Sequence, residues 1–359
     1  NKRQYFLNGS ISKDNNTFEV EINLYETKNL KNISTHNFSD ANIFTLMDNI
    51  SLQIRRDVGV PEEHITNSID LPATEIITYS VNAMKSYSTG LMHSGSENLD
   101  SKAISYLEKA LEEDDDFIFA QFNLIWAYSN SNQGEKRIPT VKKVIDKLYR
   151  LPERLRFLPN VVYYFDTKQP DKALKASIMQ TQLYPNDETG YDVLAQLYSM
   201  KDENFKVIEQ FQKILDLYGG NYKDNFKASR YIKKIADVYM YRLGDYEKAL
   251  HYFNMHLDVF PEDDTIYEEL GTLYERMNRD DKALEMYEKA LALDTKNIDV
   301  MMDIAYISGE TIDRVDKLNG VLPFCENPID SSKIYNAIYS MNVEYGKIAN
   351  ALEAIQNAI

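Results

Sequence analysis

From about residue 73 onward the chain repeats itself. The strings "YEKALHYFNMHLDVFPED" (Tyr246–Asp263) and "DKALEMYEKALALD" (Asp281–Asp294) align with Ala249 and Ala283 34 residues apart. Extended in both directions, the same position recurs at Ala103, Ile138, Ala173, Val207, Ala249, Ala283, Leu318 and Ile348. The successive spacings are 35, 35, 34, 42, 34, 35 and 30. The long interval contains "YGGNYKDNF" (Tyr218–Phe226), which reads as a loop insertion. A period of this size means one supersecondary unit per repeat. Such a unit cannot bury its apolar face alone, so neighbouring units must stack.

The best-formed unit, from about Thr265 to Lys296, carries Tyr267, Leu270-Gly271, Tyr274, Ala283, Tyr287 and Ala290. The unit centred on Val207 carries Tyr191, Leu194-Ala195, Tyr198, Phe211 and Ile214. These residues and offsets resemble the tetratricopeptide repeat, two antiparallel helices stacked on their neighbours. The resemblance implies a mainly α fold: an α-solenoid of six to eight helix pairs over residues 73–359. In this reading Gly271 and Ala283 let helix backbones approach, and Tyr274 and Tyr287 fill the space between repeats. Leucine at Ala283 should overpack the joint at a cost of ~1–3 kcal/mol. Two departures stand out. The unit around Ala173 has a poor first helix, interrupted by Pro152, Pro159 and Pro170. The units near Leu318 and Ile348 keep the rhythm but not the signature, as terminal repeats often do.

Residues 1–64 follow a different pattern. "TFEVEINLYE" (Thr17–Glu26) alternates Phe18, Val20, Ile22 and Leu24 with polar residues, the period of a half-buried strand. Tyr5–Ser12 and Leu30–Phe38 are two further strand candidates, and Lys13–Asn16 supplies hairpin-turn residues. Ser39 or Asp40 then caps a helix with Ile43, Leu46, Met47, Ile50 and Ile54 on one face, stopped by Gly59 and Pro61. One helix covers only part of a three-stranded sheet, and so small a piece needs further cover.

Tyr5, Leu7, Gly9, Ser10, Val20, Ile22, Leu24, Phe38, Phe44, Leu46, Asp48 and Ile50 give this piece a resemblance to the second half of the TolB-amino-terminal-like domain. The Trp usual in that domain's third strand is absent here; Ile33 is nearby. The domain precedes tetratricopeptide repeats in bacterial cyclase, kinase and CadC-like regulator proteins. The resemblance implies that residue 1 falls inside a domain, and that a catalytic or DNA-binding output domain lies upstream. A membrane segment often separates the two, so the compartment, periplasmic or cytoplasmic, depends on what precedes residue 1.

Chemistry is harder to find. The 40 Lys and Arg against 56 Asp and Glu give a formal charge of −16, which repels phosphate backbones and argues against nucleic-acid binding. No run of ~18 apolar residues exists to span a bilayer, and the first ten residues lack a signal peptide's apolar core. Cys325 is the single cysteine, so it can form no internal disulfide and has no cysteine partner for zinc. His251 and His256 are five apart, on different faces of a helix. "EEDDD" (Glu112–Asp116) lacks the spaced oxygens and turning Gly of a calcium loop and reads as a solvated inter-repeat loop. Gly219-Gly220 opens no phosphate cradle, and Ser94 beside His93 lacks the strand-turn-helix context of a nucleophile. The Asn-x-Ser/Thr strings at Asn8, Asn15, Asn32, Asn37 and Asn49 read as by-products of composition. No cofactor, metal or catalytic residue is expected.

Binding is the better expectation. Tetratricopeptide arrays line their concave side with the first helix of each repeat. With Leu124 and Tyr128 as packing residues, Phe119, Phe122 and Trp126 would face that groove as an aromatic anchor for a peptide or protein. On this reading, alanine at Phe122 and Trp126 leaves the fold intact. The alternative is permanent cover by the N-terminal piece or a neighbouring chain. Asp192, Gln196, Thr265, Glu268, Thr272, Glu275 and Arg276 would continue the groove, mainly acidic and suited to a basic or polar peptide. Their default reading is ordinary solvated helix surface. The leading expectation is a non-catalytic interaction or sensing scaffold within a bacterial regulator. A stand-alone periplasmic or secreted assembly factor and an enzyme using the α/β piece are the alternatives. The strand-rich piece is a candidate homodimerisation element.

Overall fold

The computed structural model describes residues 5–67, 71–93, 101–131, 133–219, 225–307, 311–344 and 346–358. It divides into two compact units, Asn1–Val193 and Leu194–Ile359. The turns expected around Ser94 and Gly220 lie outside the described residues.

The first unit opens with three strands, β1 (Tyr5–Asp14), β2 (Thr17–Glu26) and β3 (Asn32–Asp40), paired antiparallel in the order β1-β2-β3. The alternation in Thr17–Glu26 sets the register. Leu7 pairs with Leu24, Ile11 with Val20, and Ile22 with His36. Helix α1 (Ile43–Asp57) packs on β3 and β2, and Leu24, Phe44 and Leu46 form the buried centre. Its cap is Asn42, whose side chain accepts from the Phe44 N–H, rather than Ser39 or Asp40. Those two residues continue β3 instead. Asp57, at the far end of α1, accepts from Ser34 Oγ at 2.6 Å and lies 2.8 Å from His36 Nε2. Burial pushes its carboxyl up, but the hydrogen bonds from Ser34, Gln53 and His36 outweigh that and hold it below the usual range. Short helices α2 (Glu62–Asn67) and α3 (Ala73–Ile76) follow, and the Ala73 N–H donates to Asp48.

The repeats begin with α4 (Val81–Met92) and α5 (Ser101–Glu113), then α6 (Ile118–Asn130) and α7 (Gly134–Ile145), then α8 (Phe157–Asp166) and α9 (Pro170–Leu183). Next come α10 (Glu188–Ser199), α11 (Asn204–Leu217), α12 (Phe226–Asp237), α13 (Tyr246–Leu257), α14 (Asp264–Arg276) and α15 (Asp280–Leu293). The chain closes with α16 (Ile298–Ile307), α17 (Thr311–Val321), α18 (Pro328–Glu344) and α19 (Ile348–Ala358). Every position of the 34-residue alignment falls on the second helix of a pair, from Ala103 on α5 to Ile348 on α19. Ala103, Ala173, Val207, Ala249, Ala283 and Leu318 are buried, and Ile138 is half-buried. In the first pair the helices approach closely there: a Cβ on Gly90 of α4 would lie 3.3 Å from the Ala103 carbonyl oxygen on α5.

The glycine of the best-formed unit shows the same constraint. A Cβ on Gly271 would sit 2.4 Å from the Tyr287 ring. Tyr287 is 1% exposed and cannot retreat into solvent. The prolines around Ala173 interrupt less than their number suggests. Pro170 is the first residue of α9 and Pro159 the third of α8. Both occupy a first turn, where the missing N–H has no helical acceptor to lose. After α12 the chain continues as a π-helical turn, Val238–Leu243, ended by Gly244 at φ 65.

Candidate peptide-binding face of the second unit

In the second unit, α14 and α16 are the first helices of consecutive pairs. Glu268, Thr272 and Glu275 lie at i, i+4 and i+7 on α14, so they share one face. The stacking of α15 between them brings α16 alongside. Glu268 accepts from Asn297 Nδ2 at 3.2 Å, just before α16 begins. Thr272 Oγ1 lies 3.2 Å from the Tyr287 hydroxyl, which also bonds Glu275. Asp299 and Asp303 lie on α16, and Asp299 accepts from Lys333 Nζ at 2.9 Å.

These carboxylates sit close enough to disturb one another. Burial pushes Asp303 up to about 7, and the charges of Glu275, Glu268 and Asp299 add to the shift. Burial likewise raises Glu268, with Glu269, Asp299 and Asp264 adding to it against the Asn297 hydrogen bond. Glu275 is raised by burial and by Asp280. Around neutral pH Asp303 is therefore partly protonated, and a cation placed beside it would favour its ionised form. Tyr306 borders Asp303, 37% exposed.

The other expected groove residues divide. Thr265 donates to Asp263 Oδ1 at 2.6 Å, and Arg276 stacks over the Tyr241 ring at 5.1 Å. Tyr241 in turn donates to Glu269. Asp192 is half-buried and Gln196 exposed, one turn apart on α10.

The aromatic trio of α6 stands differently. Phe122 is buried, 9% exposed, against Val141, Val144, Leu151, Leu158 and Val162, contrary to the outward position expected for it. Phe119 and Trp126 are half-buried against the same cluster, the Trp126 ring edge-on to Phe122. The expected packing residues are in place, with Leu124 and Tyr128 buried against Ile104 and Leu107. The helix is simply apolar on more than one side, and such a helix is covered on more than one side.

One constellation escaped the sequence reading. His256 Nδ1 lies 2.7 Å from Ser229 Oγ, and its Nε2 lies 2.8 Å from Asp263 Oδ2. Residue types and distances match a nucleophile, base and orienting acid. Ser229 is 1% exposed, however, in the middle of packed helices where no substrate atom could reach it. The trio instead ties α12, α13 and the start of α14 together. The His256 hydrogen bond holds the Asp263 carboxyl down at about 2. No sequence spacing announces it, because the three residues meet only through stacking. Among the described residues, no group of three His, Cys, Asp or Glu is placed to hold a metal ion. No described helix is long and apolar enough to cross a membrane.

Comparison with known proteins agrees with this architecture. Residues 232–296 match the tetratricopeptide repeat family. Yeast Tom70 superposes with a TM-score of 0.54 at 14% identity, over 79% of this chain and 61% of that one. Human IFIT1, in a dimer with PPP-AAAA, gives 0.46 at 15% identity over 77% and 62%. MamA from Desulfovibrio magneticus RS-1 gives 0.39 at 18% identity over 48% and 96%. Of these three, the Tom70 likeness exceeds 0.5, and it shows the fold. No curated protein matches the chain. The fold is a mainly helical, tetratricopeptide-like α-solenoid with a small N-terminal three-stranded sheet and helix, and the family match itself spans residues 232–296.

Proposed function

We propose that this chain is a non-catalytic protein-interaction scaffold, and that the α14–α16 face of its repeats receives a basic segment of a partner. The observation that carries the reading is the juxtaposition of half-buried Glu268 and Glu275 on α14 with half-buried Asp303 on α16, the first helices of consecutive pairs; exposed Asp299 beside them already holds Lys333 at 2.9 Å. Half-buried carboxylates that raise one another gain most from a lysine or arginine, which removes repulsion as well as adding attraction. Thr272 and the exposed edge of Tyr306 add a hydrogen-bonding group and an apolar contact. Asp192 and Gln196 on α10 belong to this reading as further polar contacts.

In this reading residues 1–64 are the α/β part and residues 73–359 the solenoid of a bacterial signalling or transcriptional regulator. The TolB-like resemblance of the first strands supports that assignment. The scaffold would pass the effect of binding to an output domain elsewhere in the protein.

The test is fluorescence anisotropy with a labelled peptide of alternating Lys and Ser, on wild type and on Glu268→Gln/Glu275→Gln/Asp303→Asn. Loss of about tenfold or more in affinity is expected, since desolvated charge contacts are worth that much. The control is Asp281→Asn/Glu285→Gln/Glu288→Gln, the same charge change on exposed positions of α15. Equal weakening by both variants would reduce the effect to overall charge and sink the assignment.

A further inference from the structure

The first helix pair of the repeats holds a groove of its own. Asn82, Lys85, Ser86 and Thr89 lie at i, i+3, i+4 and i+7 on α4, so they form one stripe. Tyr106, Lys109 and Glu113 lie at i, i+3 and i+7 on α5 and form the facing stripe. Together they line a cavity of about 330 Å³, at the lower end of the sizes that hold small molecules. Ala83 on α4 and Ala110 on α5, which pack with Ala120 of α6, belong to other stripes, so the groove is not part of that joint.

The lining calls for an anion. Lys85 and Lys109 stand on opposite walls, and neither ammonium has an ion-pair partner among the described residues. Other lysines of this unit are matched, Lys136 by Glu108 at 2.9 Å and Lys147 by Asp116. Ser86 is 9% exposed, and its hydroxyl has no hydrogen-bond partner among the described residues. Thr89, one turn on, gives its own hydroxyl to the Lys85 carbonyl at 2.9 Å. A buried hydroxyl left unpaired is costly unless something in the groove bonds to it. Tyr106 is held by parallel stacking on His93, with 5.6 Å between ring centres, and Asn82 adds an amide. Two cations with hydroxyl and amide donors between them suit the charge and the several acceptor oxygens of a phosphate. Glu113 sets a limit. It lies one turn beyond Lys109 on α5, and an extended polyphosphate reaching it would meet a like charge. We propose that the α4–α5 groove binds a phosphate group, free or as a compact monoester, between Lys85 and Lys109, with Ser86 and Tyr106 donating to its oxygens.

The test is a phosphorus NMR titration of the whole chain with glycerol 3-phosphate and with inorganic phosphate. Each is taken to about 10 mM, tenfold above a millimolar dissociation constant. Both resonances should broaden and shift on binding. Tighter binding of glycerol 3-phosphate assigns the groove to a monoester, and equal or tighter binding of inorganic phosphate assigns it to the free ion. Lys85→Gln/Lys109→Gln should lose about tenfold or more in affinity, and Ser86→Ala several-fold, both with unchanged circular dichroism spectra. Lys168→Gln/Lys175→Gln makes the same charge change at exposed positions of the same unit and should lose nothing. Glu113→Gln should tighten both probes and admit pyrophosphate. Two unchanged resonances with the wild-type chain overturn the proposal. So does equal weakening by the control pair, or acetate that displaces the probes as well as phosphate does.

Discussion

Helices α6 and α14 each open a repeat, yet α6 is buried on nearly every side while α14 keeps a polar face. On α6 the side chains Ile118, Phe122 and Ile125 meet one cluster, and Leu124, Ala127 and Tyr128 meet another. On α14 the residues Ile266, Leu270, Gly271 and Leu273 are buried, and Glu268, Thr272 and Glu275 are not. The same helix-pair architecture thus yields a structural wall in one place and a chemically specific surface in another. What differs is the width of the apolar stripe, not the backbone. A repeat position therefore predicts where a side chain sits along the array. Whether that side chain is free depends on what packs beyond it.

Substitutions can press on that contrast. The largest effect is expected at Phe122. Alanine there opens a cavity in the first unit and should cost ~3–5 kcal/mol, read as a loss of thermal stability. A variant as stable as wild type would mean that the ring faces a groove after all. Gly271→Ala comes next, because the new methyl group meets the buried Tyr287 ring. A cost of ~1–3 kcal/mol is expected from overpacking.

His256→Ala tests the joint between α12, α13 and α14 and should cost ~1–3 kcal/mol by leaving Ser229 unpaired. The Asp263 carboxyl lies below its ordinary value, so its contribution is present above about pH 4 and is lost as pH falls toward 2. In the alanine variant this acid limb of the stability profile should flatten. A limb that persists unchanged would place its origin in other carboxylates.

The smallest effect has the opposite sign. Asp303 is raised, so the folded chain holds a proton that the unfolded chain gives up, and stability falls as pH rises from about 4 to 7. Asp303→Asn removes that fall. After discounting for solvent screening, the gain at pH 8 should be ~1 kcal/mol or a few degrees in Tm. No gain at pH 8 would mean that the α14–α16 carboxylates do not strain one another.

The sequence carried the repeat because a buried position, Ala249 and Ala283 among its members, recurs at a near-constant spacing. It carried the strands because alternation in Thr17–Glu26 sets one face against the other. It misled at Phe122, where the assumption of a single packing stripe failed on a helix apolar all round. Two acids of the expected groove, Glu268 and Glu275, stand beside Asp303, which was not among those expected. The Ser229–His256–Asp263 joint was illegible, since its members come from three helices with no common spacing.

The most direct test of the account is a hydrogen-exchange footprint of the chain with and without the alternating Lys-Ser peptide. The account predicts slowed exchange in residues 264–276 and 298–307, with residues 118–130 unchanged. Protection confined to residues 118–130, or none anywhere at saturating peptide, would contradict it.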